Sequence, residues 1–153
     1  MPFPLPEPMR LALDRAELAR AAGEVPVGAV ITRAGEIVAC SGNDMRTALD
    51  PTAHAEIVAI RAAAKALGTS RLDGCHLWVT LEPCAMCAGA IALARIARLY
   101  FAAPDPKGGA VLHGPCLFNQ PTCHHAPEIY SGIGETESAE LLRTFFRERR
   151  PQD

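Results

Sequence analysis

The sequence predicts an α/β domain with helices on both faces of one sheet. Three observations carry this expectation. Segments with helical spacing alternate with short β-rich runs along most of the chain. Hydrophobic residues make up 49% and charged residues 21% of the 153 residues, enough apolar content for one sizeable core. No repeat or low-complexity linker divides the chain, so a single domain over residues 1–153 is expected.

The first helix is read over residues 8–22, where Met9, Leu11, Ala12, Ala16, Leu18 and Ala19 recur with helical spacing and Gly23 is the stop. Residues 25–32 and 36–40 read as two strands around a turn at 33–35 and should pair antiparallel. Asn43-Asp44 and Asp50-Pro51 bracket a loop. An Ala-rich run with Ile57, Val58, Ile60 and Leu67 predicts a helix over 54–67, ended by Gly68. Residues 76–81 form a β-rich run that suits a buried strand, and Pro83 opens a helix over about 84–95. A short strand follows at 98–102, and helix-connected strands should run parallel. Residues 104–135 are rich in proline and glycine and read as loop with one short helix. An amphipathic helix over 137–149 closes the chain.

Composition also excludes. The formal charge is −2 and the isoelectric point about 6.2, so bulk charge gives no support to nucleic-acid binding. Any such binding needs a local basic surface, and the visible one is Arg143, Arg147, Arg149 and Arg150 around Phe145 and Phe146. At least one of those phenylalanines is expected in the core. Apolar runs are interrupted well before membrane-spanning length, so no membrane partner is expected. The Pro-rich start has no basic flank and does not read as a secretory signal, which places the chain in the cytoplasm. There the six cysteines are free thiols or metal ligands.

The chemistry-bearing residues are His54-Ala55-Glu56 and Pro83-Cys84-Ala85-Met86-Cys87. Zinc prefers nitrogen and sulfur ligands in a tetrahedron, and a catalytic zinc keeps one position for water. His54, Cys84 and Cys87 supply three ligands. Cys84 and Cys87 share a helix face three residues apart, at a helix start whose positive end favours thiolate. Residues two apart do not share a face, so His54 and Glu56 reach one metal only if the helix begins close to His54. Glu56 is then the general acid/base, passing a proton from the water to the ring nitrogen and the departing amine. Glu82 precedes the zinc helix and reads as structural. A purely structural zinc would need a fourth ligand, from His76, Cys75 or Cys123. The remaining cysteines read as small buried residues. The pair His124-His125 is a candidate substrate contact.

This pattern is the signature of zinc-dependent nucleobase deaminases. With its flanking blocks, the sequence resembles the bacterial tRNA-specific adenosine deaminases (the TadA type) of the cytidine deaminase superfamily over about residues 9–150. The carriers are Glu24-Val25-Pro26-Val27-Gly28-Ala29-Val30, Gly42-Asn43, Asp50-Pro51-Thr52-Ala53-His54-Ala55-Glu56, Thr80 to Ala90, Asp105-Pro106-Lys107-Gly108-Gly109-Ala110 and Phe145-Phe146-Arg147. The resemblance implies a three-layer cytidine-deaminase-like fold with a five-stranded mixed sheet, one Zn2+ per subunit, and a homodimer with the partner chain near each active site. It implies conversion of the wobble adenosine of arginine tRNA to inosine, with the anticodon loop as partner. Asn43 would hydrogen-bond the flipped base or its ribose. Val27 would line the pocket, and the Ala55 backbone and the Pro83-Cys84 turn would hold the base or its water. Asp105 and Lys107 would meet the anticodon nucleotides, and Phe146 and Arg147 the loop RNA. The competing expectations are a deaminase of free guanine, cytosine or cytidine, and an idle zinc scaffold, against which Glu56 argues.

Overall fold

The computed structural model describes residues 4–149. Residues 1–3 of the Pro-rich start, and Arg150 of the basic cluster, lie outside the described residues. The elements are α1 (Glu7–Ala21), β1 (Gly28–Arg33), β2 (Glu36–Gly42), α2 (Ala55–Leu67), β3 (Cys75–Leu81), α3 (Ala85–Ala94), β4 (Arg98–Ala103), β5 (Glu128–Ser131) and α4 (Glu135–Glu148), with a 3-10 turn at Leu117–Asn119.

The strands form one mixed sheet in the order β2-β1-β3-β4-β5. β1 pairs antiparallel with β2 and with β3, whereas β3–β4 and β4–β5 are parallel. The period-2 alternation of each strand divides the core. Ala29 and Ile31 of β1, Leu77 and Val79 of β3, and Leu99 and Phe101 of β4 pack with Ala55, Ala59 and Ala63 of α2 and Ala88 and Ile91 of α3. The intervening Val30, Trp78 and Ala102 turn the other way and pack with Met9 and Ala12 of α1. The result is the three-layer α/β/α arrangement.

Four local expectations are corrected. The strand read over 25–32 begins only at Gly28, so Val25, Pro26 and Val27 approach the sheet as loop. Leu18 lies off the buried stripe of α1, which is Met9, Ala12, Ala16 and Ala19; Leu18 is 61% exposed. The closing helix starts at Glu135, two residues before the sequence reading. β5 lies inside the segment read as loop. Its four residues, largely exposed, have no apolar face of their own, and pairing with β4 alone makes them a strand.

Close packing of α1 depends on Gly28, where a Cβ would stand 1.8 Å from the Ala12 carbonyl oxygen. α4 is tied down by Ser138, whose buried hydroxyl donates to the Thr80 carbonyl of β3. The Thr80 hydroxyl in turn accepts from Gly28 N at 3.1 Å. Ser138→Ala removes this link, and the expected cost is about 1–2 kcal/mol, read as a lower urea midpoint with an unchanged m-value.

Candidate active site

The switch from β2 to α2 builds the first half of the site. His54 has extended dihedrals (φ −70°, ψ 153°) and sits immediately before α2, at its N-cap position. It is therefore released from helical spacing, and its ring and the Glu56 side chain can converge although they are two residues apart. The start of α2 is capped from another element: Ala55 N donates to Oδ1 of Asn43 at 2.7 Å. Asn43 is itself placed by Asn43 N donating to the Val27 carbonyl at 3.0 Å.

The switch from β3 to α3 builds the second half. Cys84 is the N-cap of α3 with extended ψ, and Cys87 lies in its first turn. Nδ1 of His54 is 3.6 Å from Sγ of Cys84 and 3.5 Å from Sγ of Cys87. Ligands at zinc's usual bond lengths, about 2.0–2.1 Å to nitrogen and 2.3 Å to sulfur, stand about 3.6 Å apart at tetrahedral angles. The three donors fit the ion, with Nδ1 of His54 as the ligating atom. They are the one group of potential ligands that converges among the described residues. His76, Cys75 and Cys123 do not join it, so no fourth ligand among the described residues closes the tetrahedron.

The electrostatics suit a metal. The Cys84 thiol is held down to about 5, first by its hydrogen bond with Cys87 and further by His54. Cys87 is pushed up by the same hydrogen bond and by burial. The pair thus shares a proton that a dication would displace. Glu56 is 4% exposed, and burial raises its pKa to about 7, with the Cys84 charge adding to the rise.

His54, Glu56 and Cys84 open onto a cavity of about 210 Å3. Its other walls are Val25, Val27, Asn43, Met45, Leu81, Glu82, Asp105 and Gly108. Val27, Asn43 and Asp105 are thus beside the donors. Ala55 is not: it is fully buried, its N–H is taken by Asn43, and its carbonyl accepts from Ser41 Oγ at 2.7 Å. That N–H caps α2 through Asn43. Pro83 is buried outside the cavity wall, its carbonyl accepting from Ala110 N at 2.9 Å. Lys107, Phe146 and Arg147 are exposed and lie away from the cavity wall, while Phe145 is the core member of its pair. His124 and His125 line a separate cavity of about 400 Å3 beside α3, and His125 Nε2 bonds the Ile96 carbonyl at 2.7 Å, so neither reaches this pocket.

Two buried carboxylates hold the rims. Glu82 accepts from the backbone N–H groups of Asp105, Val111, Leu112 and His113, and its Oε1 is 2.7 Å from His113 Nδ1. Glu24 accepts from Arg46 N, Thr47 N and Thr47 Oγ1. Burial works to raise both pKa values, but these hydrogen bonds outweigh it and hold both below the ordinary carboxylate range. Met45, Leu81 and Glu24 are the residues that sequence reasoning missed. An acidic residue at position 24, between a helix end and an apolar run, was the only available signal.

Residues 6–103 match the cytidine and deoxycytidylate deaminase zinc-binding region. A tRNA-specific adenosine deaminase of Agrobacterium fabrum is 59% identical over 145 residues, 95% of each chain. That of Bacillus subtilis is 46% identical over 93% of this chain and 88% of its own. A solved structure, from studies of A-to-I editing by tRNA:A34 deaminases at the wobble position of transfer RNA, superposes with a TM-score of 0.88. It is 58% identical, over 88% of this chain and 98% of that one. On the matched zinc-binding region and the identity to these relatives, the chain belongs to the cytidine and deoxycytidylate deaminase family and, within it, to the tRNA-specific adenosine deaminases.

Proposed function

We propose that this protein hydrolyses the wobble adenosine of a tRNA, that of arginine tRNA, to inosine and ammonia. The observation that carries the reading is the convergence of His54, Cys84 and Cys87, with His54, Cys84 and buried Glu56 opening onto one pocket that has Asn43 on its wall. His54, Cys84 and Cys87 would hold one Zn2+ per subunit. When bound, the ion supplies a water whose pKa falls from 15.7 to about 7. Glu56 would take one proton from that water and deliver it to the purine ring nitrogen as the oxygen bonds to C6; it would then take the second proton from the same oxygen and deliver it to the exocyclic amine, which leaves as ammonia when the C6–N bond breaks and the C6 carbonyl forms. Oδ1 of Asn43 is committed to Ala55, which leaves its Nδ2 as a donor toward the nucleoside. Val25, Val27, Met45 and Leu81 give the flipped base apolar walls and exclude water from it. Asp105 and Lys107 on the loop pinned by Glu82, and exposed Phe146 and Arg147 on α4, would meet the flanking nucleotides of the anticodon loop, which proteins read as splayed single strands.

The same reading takes residues 1–153 as one zinc deaminase domain acting as a homodimer. Support for the second copy comes from α3, which is capped by Cys84, holds Cys87 in its first turn, and exposes Met86 (37%) and Leu93 (83%). A partner on this apolar face would sit next to the metal donors, and a monomeric mass by light scattering would remove it. We place the enzyme in the cytoplasm. No helix among the described residues is long and apolar enough to cross a membrane, and all six cysteines are free.

An arginine-tRNA anticodon stem-loop with a wobble adenosine tests the function. Inosine should form with zinc, cease on chelation and return on zinc addition. No inosine under zinc-replete conditions, with ammonia released from a free base, would transfer the chain to the free-base deaminases.

A further inference from the structure

We propose that Arg46 and Arg149 form a clamp for one phosphate of the RNA at the mouth of the base pocket, around Gly23. The inference rests on the RNA substrate proposed above.

The chain leaves α1 at Gly23 with φ of +85°, a conformation that favours glycine. An atom at its Cβ position would be 2.9 Å from Arg149 Nη2 and 3.9 Å from Arg46 Nη1. Two guanidinium groups, from a loop and from the far end of the chain, thus converge on Gly23, where a side chain would collide with Arg149. Both are held in place. Arg46 Nη1 donates to the Gly23 carbonyl at 3.3 Å, and Arg46 N is anchored on buried Glu24. Arg149 lies over the Phe145 ring, its Cζ 4.8 Å from the centroid, and Phe145 is buried.

Neither guanidinium forms an ion pair among the described residues. The neighbouring acids are engaged elsewhere: Glu24 takes Arg46 N and the Thr47 donors, and Glu148 pairs with Arg20. Two like charges aimed at one point repel unless an anion lies between them. Arginine forks match phosphate oxygens.

Location selects the ligand. Arg46 follows Met45, and Gly23 is two residues before Val25; both Met45 and Val25 line the base pocket. A nucleotide whose base enters that pocket carries a phosphodiester on each side of its ribose. A protein of net charge −2 has no bulk field to hold those phosphates and must bind them locally.

The test measures binding of a labelled anticodon stem-loop against salt, and steady-state deamination, for the full-length protein, Arg46→Gln, Arg149→Gln and the double variant. Arg46→Gln keeps a donor for the Gly23 carbonyl, and Arg149→Gln is independent of that loop. Each variant should raise KM more than it lowers kcat. Each should also flatten the log-affinity against log-salt slope by about 0.7, the value for one single-strand phosphate. The double variant should flatten the slope no further, because both side chains share one phosphate. A methylphosphonate at one linkage beside the target should weaken the wild type and leave the double variant unaffected. A double variant with wild-type KM and salt slope overturns the clamp. Wild-type protein that binds the stem-loop but forms no inosine overturns the proposed function instead, while the slope still reads the clamp.

Discussion

Glu56→Gln is expected to lower kcat by about 10²–10⁴-fold while zinc content and stem-loop binding stay at wild-type values. The amide keeps the size and shape of the carboxylate but can neither take a proton nor return one. The surroundings make this substitution clean. Glu56 is 4% exposed at the start of α2, and its burial raises the cost of holding a charge there. A neutral amide avoids that cost, so the melting temperature should not fall. Saturating stem-loop kinetics together with elemental analysis of the same preparation make the measurement. A Glu56→Gln enzyme that is zinc-loaded and turns over at the wild-type rate would remove Glu56 from the reaction.

Glu82→Ala is expected to cost about 3–5 kcal/mol of stability, a fall in melting temperature of roughly 10 °C. Four backbone N–H groups and the His113 ring converge on this one carboxylate, which is 2% exposed. Removing it leaves those donors without an acceptor inside the fold. Gly109 shows how tightly the loop is wound around the acid, since a Cβ there would meet Oε2 at 2.5 Å. The damage should reach function, because Asp105 and Gly108 of the same loop line the base pocket, so KM should rise. Glu82→Gln should fall between wild type and alanine: one oxygen still accepts, but the amide NH2 faces donors. The folded-state pKa of Glu82 lies below the ordinary value, so its contribution is fully present at neutral pH. It is lost only as pH drops below about 4.3 and through the folded value. The stability gap between wild type and Glu82→Gln should therefore be flat from about pH 6 to 8 and narrow in acid. An alanine variant as stable as wild type would show that solvent satisfies the loop.

Legibility differed by residue. His54, Cys84 and Cys87 were readable because the donor types and the spacing of the two cysteines already limit the chemistry, and the helix start at His54 followed from the impossibility of a shared face at two residues' separation. Met9, Ala12 and Ala16 were readable from helical period, yet Leu18 satisfied the same loose pattern and faces solvent. The four residues of β5 carried no period at all, since an exposed edge strand is defined by its neighbour. Glu82 read as structural and Glu24 carried no role, but the partners of both were invisible in the sequence. Their partners stand 22 to 31 positions away, and nothing local distinguishes a buried acceptor from a solvated one.

Spacing and donor chemistry alone therefore pointed to the order of most elements, to the converging trio of His54, Cys84 and Cys87, and to Glu56 as the carboxylate beside it. These are short-range properties, written in adjacent turns of helix or in the identity of a side-chain atom. Which carboxylates hold the two rims, which way Asn43 spends its oxygen, and how two distant arginines come to face Gly23 were decided only by the folded chain. Each depends on partners brought together by packing of α1, α4 and the loops onto the sheet, and hydrogen-bond satisfaction between such segments has no period along a sequence.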